Sequence, residues 1–148
     1  MERSKKLFIV NDLKSFFDGI WELSRQVEDR LRNETGELLG EGRFVARDQG
    51  LDYNEEGMLT LGAHRGATHQ AYRYDFPVPG RATVHFTDGR FFHDLNLADG
   101  IWTCKHRCGE DDYGGEFRAL GANAWRVVWC VKGPRKDLLL DSLYRRRA

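Results

Sequence analysis

The 148-residue chain lacks most of the features that assign a protein to a class at once. It has no long apolar run, and its first residues carry no basic, apolar, small-residue series. Neither a membrane span nor a secretory signal is therefore expected, and the expected compartment is the cytoplasm. It has no net charge, with 23 basic residues against 23 acidic ones, so no global field draws it to nucleic acid or to an anionic membrane. The three cysteines, Cys104, Cys108 and Cys130, are odd in number and too few for a disulfide framework, in keeping with a reducing environment. No G-x-S-x-G nucleophile elbow and no phosphate loop occurs. No repeat, low-complexity linker or composition break divides the chain, so residues 1–148 are expected to form one domain.

What is present is aromatic, glycine-rich and alternating. Aromatic residues make up 12% of the chain and there are 16 glycines, which with frequent turn signals favours an all-β barrel or sandwich over a helical bundle. After the short apolar run from Leu7 to Val10, Asn11 or Asp12 can cap a brief helix carrying Leu13, Phe16 and Phe17 before Gly19 stops it. A helix this short needs a core to lie against, and plugging one end of a barrel provides it. Trp21, Leu23, Arg25 and Val27 then share one parity of a strand. The next strand, Gly36 to Arg47, places Leu38, Gly40, Gly42, Phe44 and Ala46 inward, its small residues allowing a bend or the close approach of another group. Leu51, Tyr53, Glu55, Leu59 and Leu61 follow on one parity, with Gly57 offering a place for a bulge. Gly62 to Thr68 is read as a loop, Gln70 to Phe76 as a strand with Tyr72, Tyr74 and Phe76 on one side, and Gly109 to Gly115 as a polar loop. The strand with Trp125, Val127, Trp129 and Val131 on one side precedes the last, from Leu138 to Tyr144. Arg145 to Arg147 read as a solvated tail.

Between Ala82 and Cys108, Asp88-Gly89 and Asp99-Gly100 separate three alternating segments, the pattern of a three-stranded meander. If each pair is a two-residue type I′ turn, Phe86 faces Phe91, Val84 faces His93, Leu97 faces Trp102 and His93 faces His106. The two imidazoles then share an apolar face with Val84, Phe86, Phe91, Leu95 and Leu97. A slip of one residue at Asp99-Gly100 turns His106, Cys104 and Cys108 outward.

About nine or ten short strands joined by hairpins imply a single antiparallel up-and-down β-barrel, since closure removes sheet edges and leaves an interior for one small ligand. Gly19-Ile20-Trp21 after a short helix, with an Arg-rich last strand, resembles the lipocalin and fatty-acid-binding (calycin) superfamily, in which the Trp packs beneath an Arg from the last strand. A wider pattern runs through the chain. It comprises Phe17-Asp18-Gly19-Ile20-Trp21-Glu22-Leu23-Ser24-Arg25, Tyr53-x-Glu55-x-Gly57, Phe86 to His93, His106-x-Cys108 with Asp112-Tyr113, and Trp129-x-Val131-x-Gly133-Pro134-Arg135-Lys136-Asp137. It resembles a bacterial and fungal family known as domain of unknown function 6314. That resemblance implies a one-domain, lipocalin-like barrel and no particular activity.

Two charges, Arg25 and Glu55, fall on inward faces, where a charge must find a partner or a ligand. With Tyr53, Tyr74, His93 and His106 they form the candidate ligand site, a polar pocket in an apolar wall suited to a small, anionic, partly hydrophobic molecule. A cofactor-free lyase or isomerase would use Arg25 as anion anchor and His93, Glu55 or Tyr53 as acid-base groups. A third possibility is a side-chain-filled core in a structural or protein-interaction module, with the polar groups satisfying one another. Zinc would draw on His93, His106 and Cys104 or Cys108, but Cys-x-His-x-Cys spaces its side chains about 7 Å apart along one strand face, unlike a structural zinc loop. Haem would need His93 or His106 as axial ligand, and no attachment motif is present. The expectation is therefore a binder of a small molecule, with no metal, cofactor, nucleic acid or membrane partner and with a homodimer possible at any unprotected barrel edge.

Overall fold

A computed structural model describes residues 7–147. One short helix, α1 (Leu13–Phe17), precedes ten antiparallel strands: β1 (Gly19–Asp29), β2 (Glu34–Arg47), β3 (Gly50–Leu61), β4 (His64–Val78), β5 (Arg81–Phe86), β6 (Phe91–Leu95), β7 (Ile101–Cys108), β8 (Asp111–Gly121), β9 (Ala124–Gly133) and β10 (Lys136–Arg146). All but one of the strands pair with the next in sequence, and β1 also pairs with β10, from Trp21 opposite Arg146 to Asp29 opposite Leu138. The sheet order β6-β5-β4-β3-β2-β1-β10-β9-β8-β7 leaves one discontinuity, between β6 and β7. The result is a nearly closed, ten-stranded up-and-down barrel with a seam.

Parity follows the alternation of the sequence over most of the barrel. Trp21, Leu23 and Val27 are buried along β1, Leu38 and Phe44 along β2, and Leu51, Tyr53 and Glu55 along β3. Gly57 introduces no bulge, because the β2–β3 ladder runs without a shift from Gly36 opposite Leu61 to Arg47 opposite Gly50. Glu55 therefore keeps its inward parity. Ala46, at the end of β2, is exposed.

The helix closes one end. Asp12 caps it by accepting a hydrogen bond from the Ser15 N–H at 3.2 Å, and Leu13, Phe16 and Phe17 are buried. Phe17 stacks on Phe44 at 5.1 Å and meets Trp125 edge-on at 5.1 Å. Arg146 is not part of a solvated tail. Its guanidinium lies 4.2 Å from the Trp21 ring centroid and donates to the carbonyls of Phe16 and Asp18 at 2.6 and 2.9 Å. The open carbonyls at the end of α1 and the indole face give a cation here more partners than water-exposed arginines usually find. Arg145 and Arg146 continue β10.

Two loops are shorter than composition suggests. Gly62 and Ala63 form the whole β3–β4 connection, and His64 to Thr68 extend β4 because the long β3 opposes them with a continuous ladder, Leu61 facing His64 and Gly57 facing Thr68. Likewise Asp111 to Gly115 belong to β8, which pairs with β7 on one side and β9 on the other. Backbone pairing outweighs weak strand propensity when both neighbours are in place.

The meander differs from the two-turn expectation. At Asp88-Gly89 the Gly89 N–H donates to the Phe86 carbonyl and the Phe86 N–H to the Arg90 carbonyl, each at 2.9 Å, so the loop has three residues, Thr87 to Gly89. Gly89, at φ 92°, supplies the left-handed residue that ends such a turn. The extra residue pairs His85 with Phe91, and a bulge then restores Val84 opposite His93. Phe92 is that bulge residue. It points inward beside His93, both almost fully buried, while Phe91 is 49% exposed. Beyond it Asp99-Gly100 makes a tight turn, the Gly100 N–H donating to the Leu97 carbonyl, but no ladder joins β6 to β7. The Leu97 carbonyl also accepts from the Val10 N–H, and the Gly100 carbonyl from the Ala119 N–H, which tie this turn to the N-terminal segment and to β8. His93 and His106 are therefore not cross-strand partners.

Candidate functional site

Above the aromatic plug the lumen holds a cavity of about 230 Å³ lined by Arg25, Glu55 and His93 among others. The barrel is therefore not filled by its own side chains. One wall of the cavity is polar and internally paired; the other is aromatic.

The polar wall is built on β1, β3 and β10. Arg25 Nη1 and Nη2 donate to the two Glu55 oxygens at 2.7 and 3.0 Å, Nε donates to Ser142 Oγ at 2.6 Å, and Nη2 reaches the Tyr144 hydroxyl at 3.3 Å. The Tyr53 hydroxyl donates to Glu55 Oε1 at 2.6 Å and lies 2.9 Å from the Tyr144 hydroxyl. Gly42 makes room for this meeting, since a Cβ there would lie 2.9 Å from the Tyr53 hydroxyl and 3.1 Å from the Tyr144 ring. Burial, and then the neighbouring Tyr144 and Glu55, hold the Tyr53 phenol well above its ordinary pKa; burial does the same to Tyr144. Both remain protonated and act as hydrogen-bond groups, not as acids. Nearby, Gln70 Nε2 donates to the Tyr72 hydroxyl at 2.6 Å, and burial pushes that phenol up to about 12. At the rim, the Lys136 ammonium lies 3.2 Å from Asp111. The lining charges are thus matched, Arg25 by Glu55 and Lys136 by Asp111.

The aromatic wall spans the seam. Phe86 stacks on Phe92 at 4.6 Å and 20°, and Phe92 stacks on Trp129 at 5.0 Å and 17°, so three rings from β5, β6 and β9 run in one file across the side where β6 and β7 share no ladder. Trp129 reaches Phe92 over Gly115 of β8, where a Cβ would lie 2.6 Å from its ring. Outside that file the Trp102 indole N–H donates to the Asp94 carbonyl at 2.8 Å, stitching the two strands once.

His93 stands at the edge of this file, its ring 4.7 Å from Phe92, 5.3 Å from Phe117 and 5.3 Å from Trp129. Its Nδ1 is 2.8 Å from the Asp94 carbonyl, which only accepts, so Nδ1 carries the proton. Burial pulls the imidazole down to about 4 against the opposing pull of that carbonyl, leaving it neutral at physiological pH with Nε2 a bare acceptor.

Of the expected site residues, Arg25, Tyr53, Glu55, Tyr74 and His93 all line the cavity, and His106 does not. His106 is half-buried at the seam, 5.4 Å from Phe92 and 5.9 Å from Phe86, and no ladder sets it opposite His93. Cys104 is also half-buried, and burial raises its thiol to about 11, the range of an inert side chain. The lining residues that sequence reasoning did not assign to the site include Tyr144, Tyr72, Phe92 and Trp129, and Ser142 joins the site through its bond to Arg25. Ser142 and Tyr144 share a parity of β10, which puts them on one face but names no partner for either. Phe92 had no signal, since the bulge that inverts it depends on the loop before it.

Residues 17–146 match the profile of a family described as "Family of unknown function (DUF6314)". No curated protein matches the sequence. Among solved structures, the S-type phycobiliprotein lyase CPES from Guillardia theta superimposes with a TM-score of 0.62 over 92% of this chain and 91% of that one, at 9% identity. Two further structures show a looser likeness. EF1p2_mFAP2b, solved bound to DFHBI, has a TM-score of 0.49 at 12% identity and covers 90% of this chain and 95% of its own. A fluorescence-activating β-barrel designed de novo has a TM-score of 0.49 at 12% identity, over 92% of this chain and 98% of its own.

Proposed function

The chain belongs to the DUF6314 family of unknown function, and from that premise we propose that its barrel binds one small, uncharged, partly hydrophobic molecule in the lumen. The observation that carries this reading is the cavity of about 230 Å³ whose inner charges, Arg25 and Glu55, neutralise each other while a ring file forms the opposite wall. Drug-sized sites run to roughly 300–1,000 Å³, so a ligand of one or two rings is the right scale. An anion held by Arg25 is disfavoured. It would have to displace Glu55 from a two-point pair and leave a buried carboxylate without its partner, at a cost of roughly several kcal/mol.

Binding is favoured over turnover for a related reason. Both Glu55 oxygens are engaged, the Tyr53 and Tyr144 phenols are held protonated, and a neutral imidazole with a pKa of about 4 is a weak base at physiological pH. The placement of Trp21 beneath Arg146 supports a lipocalin-like assignment for the barrel. Among the described residues no helix is long and apolar enough to cross a membrane, and the unpaired cysteines suit a reducing, cytoplasmic setting.

Titration with naphthol, and separately with naphthoate, tests the reading through tryptophan emission, since Trp125 and Trp129 line the cavity. Saturable quenching by naphthol, weaker with naphthoate and abolished by the lumen-filling change Val84→Trp in a folded protein, is the expected result. Quenching that survives Val84→Trp would move the site out of the lumen, and tighter binding of naphthoate would restore the anion reading.

A further inference from the structure

We infer that the lumen selects a ring bearing an N–H or O–H, of the phenol, indole, pyrrole or lactam class, which donates its hydrogen to Nε2 of His93. This rests on the lumen-binding reading above and assigns the ligand's polarity and orientation within it.

Most polar groups of the cavity wall are committed to one another. Arg25, Glu55, Tyr53 and Tyr144 are bonded together, Arg25 also donates to Ser142, and Gln70 is bonded to Tyr72. The phenols of Tyr74 and Tyr113 line the same cavity, but a hydroxyl donates or accepts as required and so dictates nothing. His93 is different. With Nδ1–H committed to the Asp94 carbonyl, Nε2 can only accept, and no described residue donates to it. The ring cannot turn to exchange its nitrogens without losing that bond. Phe92, Phe117 and Trp129 hold it on three sides, with Phe92 and Trp129 edge to face at 78° and 62°.

Local backbone geometry serves this arrangement. The bulge at Phe92 lets two consecutive side chains of β6 face inward, so that His93 stays opposite Val84 while Phe92 fills the seam beside it. Without the bulge, a wall residue would have to be either the ring or the acceptor. A planar ligand lying along the file formed by Phe86, Phe92 and Trp129 has its edge toward His93, which is where a ring N–H or O–H projects. An analogue without that hydrogen leaves Nε2 unpaired in a water-poor wall, and sites built around such a bond reject the analogue strongly. A preference of about 10- to 100-fold is expected.

The test compares naphthol with fluoronaphthalene, which is similar in shape and has no donor, by calorimetry on the full chain at neutral pH. The expected result is a preference for naphthol of about 10- to 100-fold, reduced to within about twofold in His93→Phe by loss of naphthol affinity alone and largely restored in His93→Gln, whose amide oxygen accepts. An independent readout needs no variant. Naphthol, and not fluoronaphthalene, should shift the Nε2 NMR resonance of His93 in the wild-type protein. Equal binding of the two probes, or a preference that persists in His93→Phe, would overturn the donor inference and leave lumen binding standing. Failure of both probes to bind would overturn the lumen reading and this inference with it.

Discussion

Both carboxylate oxygens of Glu55 lie within hydrogen-bond distance of the Arg25 guanidinium, at 2.7 and 3.0 Å, although 30 residues separate the two in the chain. Removing one partner leaves the other in the barrel wall without its opposite charge. Arg25→Ala or Glu55→Ala alone should lower stability by about 3–5 kcal/mol, while the double change Arg25→Met with Glu55→Leu should cost less than either. Urea denaturation of the three variants checks the order. A double variant as unstable as the sum of the singles would mean that the two charges do not act as a pair.

His93 titrates at about 4 in the folded barrel against an ordinary value of 6.5. Between those values the unfolded chain takes up a proton that the folded chain refuses, so stability falls as pH drops from 6.5 toward 4, by up to about 3 kcal/mol. Above pH 6.5 the contribution is flat. Burial sets the direction, the Asp94 carbonyl and carboxylate oppose it, and His106 adds to it. The denaturation free energy of wild type minus that of His93→Phe should therefore decrease as pH falls across this window. A difference independent of pH would remove His93 as the source.

Trp129 reaches Phe92 only because residue 115 has no side chain. Gly115→Ala puts a methyl group where the indole lies and should cost about 1–3 kcal/mol, with near-ultraviolet circular dichroism reporting loss of the ring stack. An unchanged spectrum and stability would show that Trp129 does not depend on this gap.

The seam predicts uneven hydrogen exchange. Peptides covering β6 and β7, each laddered on one side, should exchange before those covering β1, β2 and β3, each laddered on both. Replacing Phe92 with Ala should speed exchange in β6 and β7 and leave β2 unaffected. Uniform protection around the barrel would argue for a ladder between β6 and β7.

Much of the wall was legible in advance. Alternation identified Arg25 and Glu55 as inward charges and Tyr53, Tyr74 and His93 as inward rings, and all five line the cavity. Their partners were not legible. Ser142 bonds to Arg25 across 117 residues, and nothing local in either strand marks that meeting. The pairing of Arg25 with Glu55 also bears on the expected ligand charge, because an inward cation alone suggests an anion while a matched pair does not. His106 failed for a related reason. Its parity was sound, but its neighbourhood depended on a ladder that the seam lacks.

The amino-acid order by itself determined the side of the sheet on which each residue of most strands falls, because the side-chain period of a strand is two and needs no neighbour to set it. It also determined the short capped helix and the approximate strand count. Only the tertiary structure decided the three-residue loop at Asp88-Gly89, the bulge that turns Phe92 inward and the break between β6 and β7. These are outcomes of competition between turn geometry, cross-strand pairing and aromatic packing from β9, and such competition is settled between strands distant in the chain.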